Sequence, residues 1–294
     1  MSGDRVRGHL AMLAFSALVA GSFALGAMMA DRVAPIAFTA LRFWIGTLLI
    51  GALMALTGGR RRSDFVAPWR YGVLGGIFAG YFVLMFEGLK TAPPVSAAAV
   101  FTLLPILTAG FGWLVLRQVT TGRMALALAI GALGAAWVIF RGDLRALLAF
   151  DVGRGEAIYF AGCLCHALYV PLVRLLNRGE RAVVFTFGTL LAGAMVVTVL
   201  GSGAIRATDW AAQPAIVWIT LAYTAVFATA ATFVLTQYAA LRLPASKVMA
   251  YTYLTPSWVI LWQLALGQPA PGPVVLTGVA LTALALLLLL KDEH

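Results

Sequence analysis

Charge is what this chain has least of. Of its 294 residues only 11% are Asp, Glu, Lys or Arg, against about a quarter in a soluble globular chain, so most of its length cannot form a solvated surface. Cysteine is nearly missing too, with Cys163 and Cys165 as the whole supply. Two apart on a helix, they point to nearly opposite faces and cannot easily bridge. That removes a disulfide framework and leaves two small apolar residues. Histidine numbers three, with no metal-ligand spacing. No paired aspartates fall in an apolar run and no serine has a positioned base, so a membrane-embedded enzyme is not supported. Nothing in the pattern calls for a cofactor.

What is present is hydrocarbon: 62% of residues are hydrophobic and the mean hydropathy is +0.94. Most apolar runs carry no charge over about 20 residues, enough to cross a bilayer core of about 30 Å. The lipid bilayer is therefore the expected surrounding. A net charge of +10 would point a soluble chain toward nucleic acid. Without an aromatic and basic platform to carry it, no nucleic-acid partner is expected, and the charge is assigned to membrane orientation.

Apolar runs between charge and turn clusters predict ten helices, over residues 9 to 30, 35 to 57, 71 to 89, 95 to 116, 123 to 140, 156 to 176, 182 to 200, 214 to 240, 246 to 266 and 272 to 290. The first is longer than a signal-peptide core and is read as a retained helix. The longest connection, 141 to 155, falls midway, giving units at 1–145 and 146–294. Lys and Arg counted by alternate connections, with the N-terminus inside, give 14 on the inner side: Arg5, Arg7, Arg60, Arg61, Arg62, Arg70, Arg117, Arg123, Arg174, Arg178, Arg181, Arg242, Lys247 and Lys291. The outer side holds six: Arg32, Lys90, Arg141, Arg145, Arg154 and Arg206. Both termini are thus expected in the cytoplasm.

The halves echo each other. Phe82-Val83-Leu84, Pro93 and Leu103-Leu104-Pro105 recur at one constant separation as Phe233-Val234-Leu235, Pro244 and Leu254-Thr255-Pro256. Gln118 and Gly122 match Gln268 and Gly272; Gly8, Phe38 and Gly46 match Gly155, Phe185 and Gly193. Five helices is an odd number, so the second copy must enter the membrane from the opposite side. The fold expected is all-α, ten transmembrane helices forming two inverted five-helix repeats around a central cavity.

Pro105 and Pro256 lie near the middle of the fourth and ninth spans. Each frees a carbonyl four residues back, at Phe101 and Thr252, so the pair reads as hinges beside a cavity. Polar and aromatic residues recur at helical spacing nearby: Phe78, Tyr81, Met85 and Gly88; Tyr159, Gly162, His166 and Tyr169; Tyr251, Thr255, Trp258 and Trp262; and Thr229, Thr232 and Thr236 beside Gln237. They describe an aromatic, neutral-polar pocket. Candidate cavity residues are Tyr81, Met85, Phe101, Thr102, His166, Tyr169, Gln237, Tyr251 and Trp258. Arg42, about eight residues into the second span, either snorkels to the outer interface or pairs. No mid-membrane Asp or Glu offers a proton carrier, so a facilitator is the simpler expectation.

On these features the chain resembles the drug/metabolite transporter superfamily, in its ten-helix EamA-type branch. The resemblance spans two five-helix units, each with small residues and Leu-x-Pro in its fourth helix, at Ala97 to Pro105 and Val248 to Pro256. Gln118 and Gln268 stand at a turn where many members carry Gly-Glu. The resemblance implies a bacterial inner-membrane exporter with a central cavity and peripheral fifth and tenth helices. It also implies gating by the hairpins that join the third to fourth and eighth to ninth helices. Its expected substrates are aromatic and other neutral amino acids, with multidrug or other metabolite export as the alternative. In such a pocket a zwitterion is held by freed carbonyls, helix-end dipoles and Tyr and His hydrogen bonds. A monomer is plausible.

Overall fold

A computed structural model describes residues 3–58, 62–119, 121–149, 151–240, 248, 250–269 and 271–290, the side chains of 3–5, 62, 63, 237 and 240 excepted. Regular structure among them is helical throughout: α1 (Gly3–Met29), α2 (Pro35–Thr57), α3 (Trp69–Gly88), α4 (Pro94–Phe101), α5 (Leu104–Leu116), α6 (Gly122–Ile139), α7 (Leu144–Ala149), α8 (Arg154–Leu176), α9 (Ala182–Leu200), α10 (Ser202–Ala207), α11 (Ala215–Ala225), α12 (Thr232–Ala240), α13 (Thr255–Ala265) and α14 (Pro273–Leu290). A helix satisfies its own backbone, which hydrocarbon cannot do for it. Nine stretches among the described residues are long and apolar enough to cross a membrane. The ninth span expected from sequence, 246 to 266, is described as a short 3₁₀ turn, Tyr251–Leu254, running into α13.

Proline and left-handed residues punctuate the chain. Pro35, Pro94 and Pro273 stand at the first position of α2, α4 and α14, where the missing N–H would have had no helical partner. Arg117 (φ 56°) closes α5, and Gly267 (φ 73°) follows α13. The N–H of Gln118 returns six residues to the Gly112 carbonyl and that of Gln268 five residues to the Gln263 carbonyl, so both copies close at corresponding places on a left-handed residue but with turns of different span.

Pro105 stands midway along its span, residues 94–116, as expected, but at a break in the helix and not inside continuous helix. α4 stops at Phe101, and the Thr102 N–H is drawn to the Ala98 and Ala99 carbonyls. α5 then restarts at Leu104 with Pro105 in its first turn. Pro256 likewise sits in the first turn of α13. Each span is broken before its proline, which has no N–H to donate to the carbonyl four residues back and whose ring crowds that carbonyl; the residue before it stays helical, as at Thr255 (φ −55°, ψ −46°). A second irregularity is the π-helical stretch Val226–Ala231 between α11 and α12, marked by the Thr229 hydroxyl donating to the Thr224 carbonyl five residues back.

Packing pairs helices across the halves. α3 lies on α8 and α9, α2 on α9, α5 on α8, α6 on α14, and α1 on α11, α12 and α13. Glycines let these backbones approach. A methyl on Gly75 would come within 2.6 Å of the Thr189 carbonyl oxygen, and one on Gly134 within 2.7 Å of the Gly278 carbonyl oxygen.

Candidate functional site

The central feature is a cavity of about 630 Å³, lined from both halves by α1, α2, α3, α4, α5, α8, α9, α12, the π-helical stretch and the 3₁₀ turn Tyr251–Leu254. Its deep end is walled by Tyr81, Met85, Phe101 and Leu104, all buried. The other end reaches Arg174, Asn177 and Glu180 at the turn between α8 and α9, where Arg174 is exposed. The cavity therefore opens on the face where α8 ends and is closed on the other. Arg181 reaches carbonyls of Thr57 and Gly58, which places the end of α2 on that same face.

An aromatic box fills one wall. Phe78 stacks on Tyr169 at 4.7 Å between ring centroids, and His166 sits edge-on to Tyr81 at 4.5 Å. The Tyr81 and Tyr159 hydroxyls share a hydrogen bond at 3.2 Å. Phe78, Tyr81 and Met85 project from one face of α3; His166 and Tyr169 project from α8, which α3 packs against. Their helical spacing is what brings the two stripes together.

Arg42 adjoins this box through Phe82, whose ring lies 4.6 Å from that of Tyr81. Only 1% exposed, it donates Nε and Nη2 to the Thr229 hydroxyl at 3.2 and 3.1 Å, and Nη2 to the Ala228 carbonyl at 3.4 Å. Its guanidinium lies 3.8 Å over the Phe82 ring, a cation–π placement. The widened turn at 226–231 is what carries Ala228 and Thr229 to it. The lining is thus not free of fixed charge, contrary to the neutral pocket expected from sequence, because Arg42 turns inward instead of snorkelling outward.

Buried polar atoms in proteins are nearly always hydrogen-bonded, yet the cavity collects exceptions. Among the described residues, Ser22 Oγ, Arg42 Nη1 and His166 Nδ1 are buried without a partner, and all three residues line this space. Such groups call for a polar solute.

Both ends of the α3–α8 pair are tied. At the open face Arg70 pairs with Glu180 at 2.7 Å, their side chains 1% and 4% exposed. Burial pushes the Glu180 carboxyl up, but the Arg70 guanidinium and the Arg178 backbone N–H outweigh it and hold the group below the usual carboxylate range. At the closed face the Ser96 hydroxyl donates to Glu156 at 2.8 Å, and Gly88 and Gly155 bring α3 and α8 into backbone contact. Glu156 is buried although it lies in the first turn of α8.

Of the residues singled out in the sequence, Tyr81, Met85, Phe101, His166 and Tyr169 line the cavity. Thr102 is fully buried and donates to the Ala99 carbonyl at the α4–α5 break. Tyr251 shares a hydrogen bond with His9 Nδ1 at 2.8 Å, and Trp258 Nε1 donates to the Ser16 hydroxyl at 2.9 Å. The ninth-span aromatic face therefore docks on α1, outside the lining. The Gln237 side chain lies outside the described residues. Pro105 borders a separate cavity of about 490 Å³ between α5, α6 and α8, and Pro256 is buried. Sequence reasoning left out Ser22, Phe82, Thr186 and the Arg174–Glu180 rim; the threonine stripe Thr229, Thr232 and Thr236, read from sequence as part of the pocket though not named among its candidate residues, does line it.

A bundle of membrane-crossing helices around a one-ended cavity, with its lining drawn from both halves of the chain, is the architecture of a small-molecule transporter. The EamA-like transporter family matches the chain twice, over residues 6–140 and 153–291, and the chain belongs to that family. An uncharacterized transporter of Bacillus subtilis, YyaM, is 26% identical over 264 residues, covering 89% of this chain and 86% of that one. The aromatic amino acid exporter YddG of Ancylobacter novellus is 36% identical over 104 residues, 34% of this chain and 36% of that protein. A solved crystal structure superposes with a TM-score of 0.68 at 21% identity, covering 98% of this chain and 96% of the other; it bears on the fold alone.

Proposed function

We propose that this transporter exports neutral amino acids, aromatic ones foremost, across the bacterial inner membrane. In this reading the two halves are inverted repeats that expose one central site alternately to each side, with both termini cytoplasmic. Pro105 and Pro256 serve as hinges at the breaks in the fourth and ninth spans. The protein acts as a facilitator that needs no proton gradient. The observation that carries the substrate class is the box of Phe78, Tyr81, Phe101, His166 and Tyr169, whose ring faces and edges suit an aromatic side chain, beside buried polar atoms awaiting partners. A cavity of about 630 Å³ lies within the common range for small-molecule sites, about 300 to 1,000 Å³. The shared stretch with an aromatic amino acid exporter points the same way.

Counterflow in proteoliposomes without a pH gradient tests it. Phenylalanine, tryptophan or tyrosine should exchange with saturation, and His166→Ala and Tyr169→Ala should each lower that flux. Absence of exchange for every neutral amino acid would sink the substrate assignment. Exchange only under an imposed pH gradient would sink the facilitator.

A further inference from the structure

Arg42 brings a fixed charge to the buried part of the cavity wall. Two of its three guanidinium nitrogens are held by the π-helical turn, through Thr229 and Ala228. The third, Nη1, is buried with no hydrogen-bond partner among the described residues. No ion pair is recorded for Arg42 there either. Among the described residues the one carboxylate on the cavity wall, Glu180, is at the rim and is already paired with Arg70. A guanidinium at membrane depth without a counter-charge is costly, and this one is fixed in place, by Thr229 on one side and by the Phe82 ring on the other.

We infer that Arg42 Nη1 is the anchor for a substrate carboxylate, and that the site selects carboxylate-bearing solutes over the corresponding amines and amides. The inference rests on the amino-acid reading of the same cavity and sharpens it, from an aromatic, neutral pocket to one that needs the acid group. The deep placement of Arg42, buried against Phe82 beside Tyr81, puts the charged contact at the closed end of the cavity. His166 Nδ1, unpartnered in the box, then accepts from the ammonium end as a neutral imidazole with its proton on Nε2, and the rings between them take the side chain. A charge-assisted contact of this kind is worth about a 10- to 100-fold change in affinity. Arginine suits the task because its rigid planar fork fixes the direction of the free donor while the other nitrogens are anchored, whereas the three donors of a lysine share one rotating nitrogen.

The test uses the purified full chain in nanodiscs and proteoliposomes, with four ligands of one skeleton: phenylalanine, its amide, phenethylamine and 3-phenylpropionate. Wild type should bind phenylalanine best and 3-phenylpropionate next, with the amide and phenethylamine weaker than phenylalanine by about 10- to 100-fold. Arg42→Met should erase that difference by weakening the two acids alone. Thr229→Val, which removes an anchor and leaves the guanidinium, should keep the preference for acids. The comparison of ligands in wild type stands whether or not Arg42→Met folds. If phenylalanine is transported but its amide and phenethylamine bind equally well, the anchor is overturned and the amino-acid reading survives. If 3-phenylpropionate binds in an Arg42-dependent way and phenylalanine does not, the anchor survives and the amino-acid reading falls.

Discussion

Gly75 and Gly76 are neighbours in sequence with opposite surroundings. A methyl on Gly75 meets the backbone of Thr189 and Gly193 on α9, whereas one on Gly76 meets nothing within 4 Å. Backbone cannot move aside as a flexible side chain can, so Gly75→Ala should cost about 1 to 3 kcal/mol of packing strain. Gly76→Ala should leave stability unchanged or slightly raised, since alanine favours the helix. Thermal unfolding in detergent compares them, and equal melting temperatures would show that α3 and α9 are not this close. The same scale shows where the site was legible. Phe78, Tyr81 and Met85 share one face of a helix at sight, and so do His166 and Tyr169. Helical phase says which residues lie together but not which neighbour they meet. Tyr251 and Trp258 lie on an equally good face that docks on His9 and Ser16 of α1. Arg42 could be seen as a charge within a span; whether it snorkels or turns inward depends on Thr229, a residue from the other half.

At the scale of elements, the boundaries of the helices were readable because charge, Gly and Pro punctuate them, as at Pro35 and Pro94. The irregular turns were not. Nothing in Val226–Ala231 distinguishes a π-helical stretch from ordinary helix by composition, and its effect is tertiary: it offers Ala228 and Thr229 to Arg42. The broken spans were half readable. Proline announced an irregularity at 105 and 256, but its form, a stop and restart with proline in the first turn, depends on where the preceding turn is satisfied. Thr102 provides that closure by returning both its N–H and its hydroxyl to α4. If these breaks are where the spans flex, Pro105→Ala and Pro256→Ala should join the half-helices and slow exchange severalfold while membrane insertion and yield stay normal, as hinge substitutions do. Initial rates of counterflow measure it. Two variants with wild-type rates would take the hinge role away from the prolines.

For the whole molecule, duplication was the strongest signal in the sequence, and the packing carries it further. Exchange the halves, α1 with α8, α2 with α9, α3 with α11 and α12, α5 with α13, α6 with α14, and the contacts exchange too: α3 on α8 becomes α12 on α1, and α5 on α8 becomes α13 on α1. The α2–α9 and α6–α14 pairs map onto themselves. What breaks the symmetry is the cavity, closed where Ser96 meets Glu156 and open where Arg174 is exposed. If the halves exchange roles during transport, that asymmetry must reverse. In a chain with Cys163→Ala and Cys165→Ala, Thr186→Cys would lie on the cavity wall, and Ala92→Cys in the closed contact, where Ala92 is 4% exposed. A membrane-impermeant maleimide should label Thr186→Cys from the cytoplasmic face and leave Ala92→Cys untouched at rest. During exchange of phenylalanine, labelling of Ala92→Cys from the opposite face should rise as that of Thr186→Cys falls. Labelling of Thr186→Cys from the periplasmic side at rest would reverse the assigned orientation. Unchanged labelling at both positions during turnover would remove alternating access, because a site that never changes sides cannot be the carrier's site.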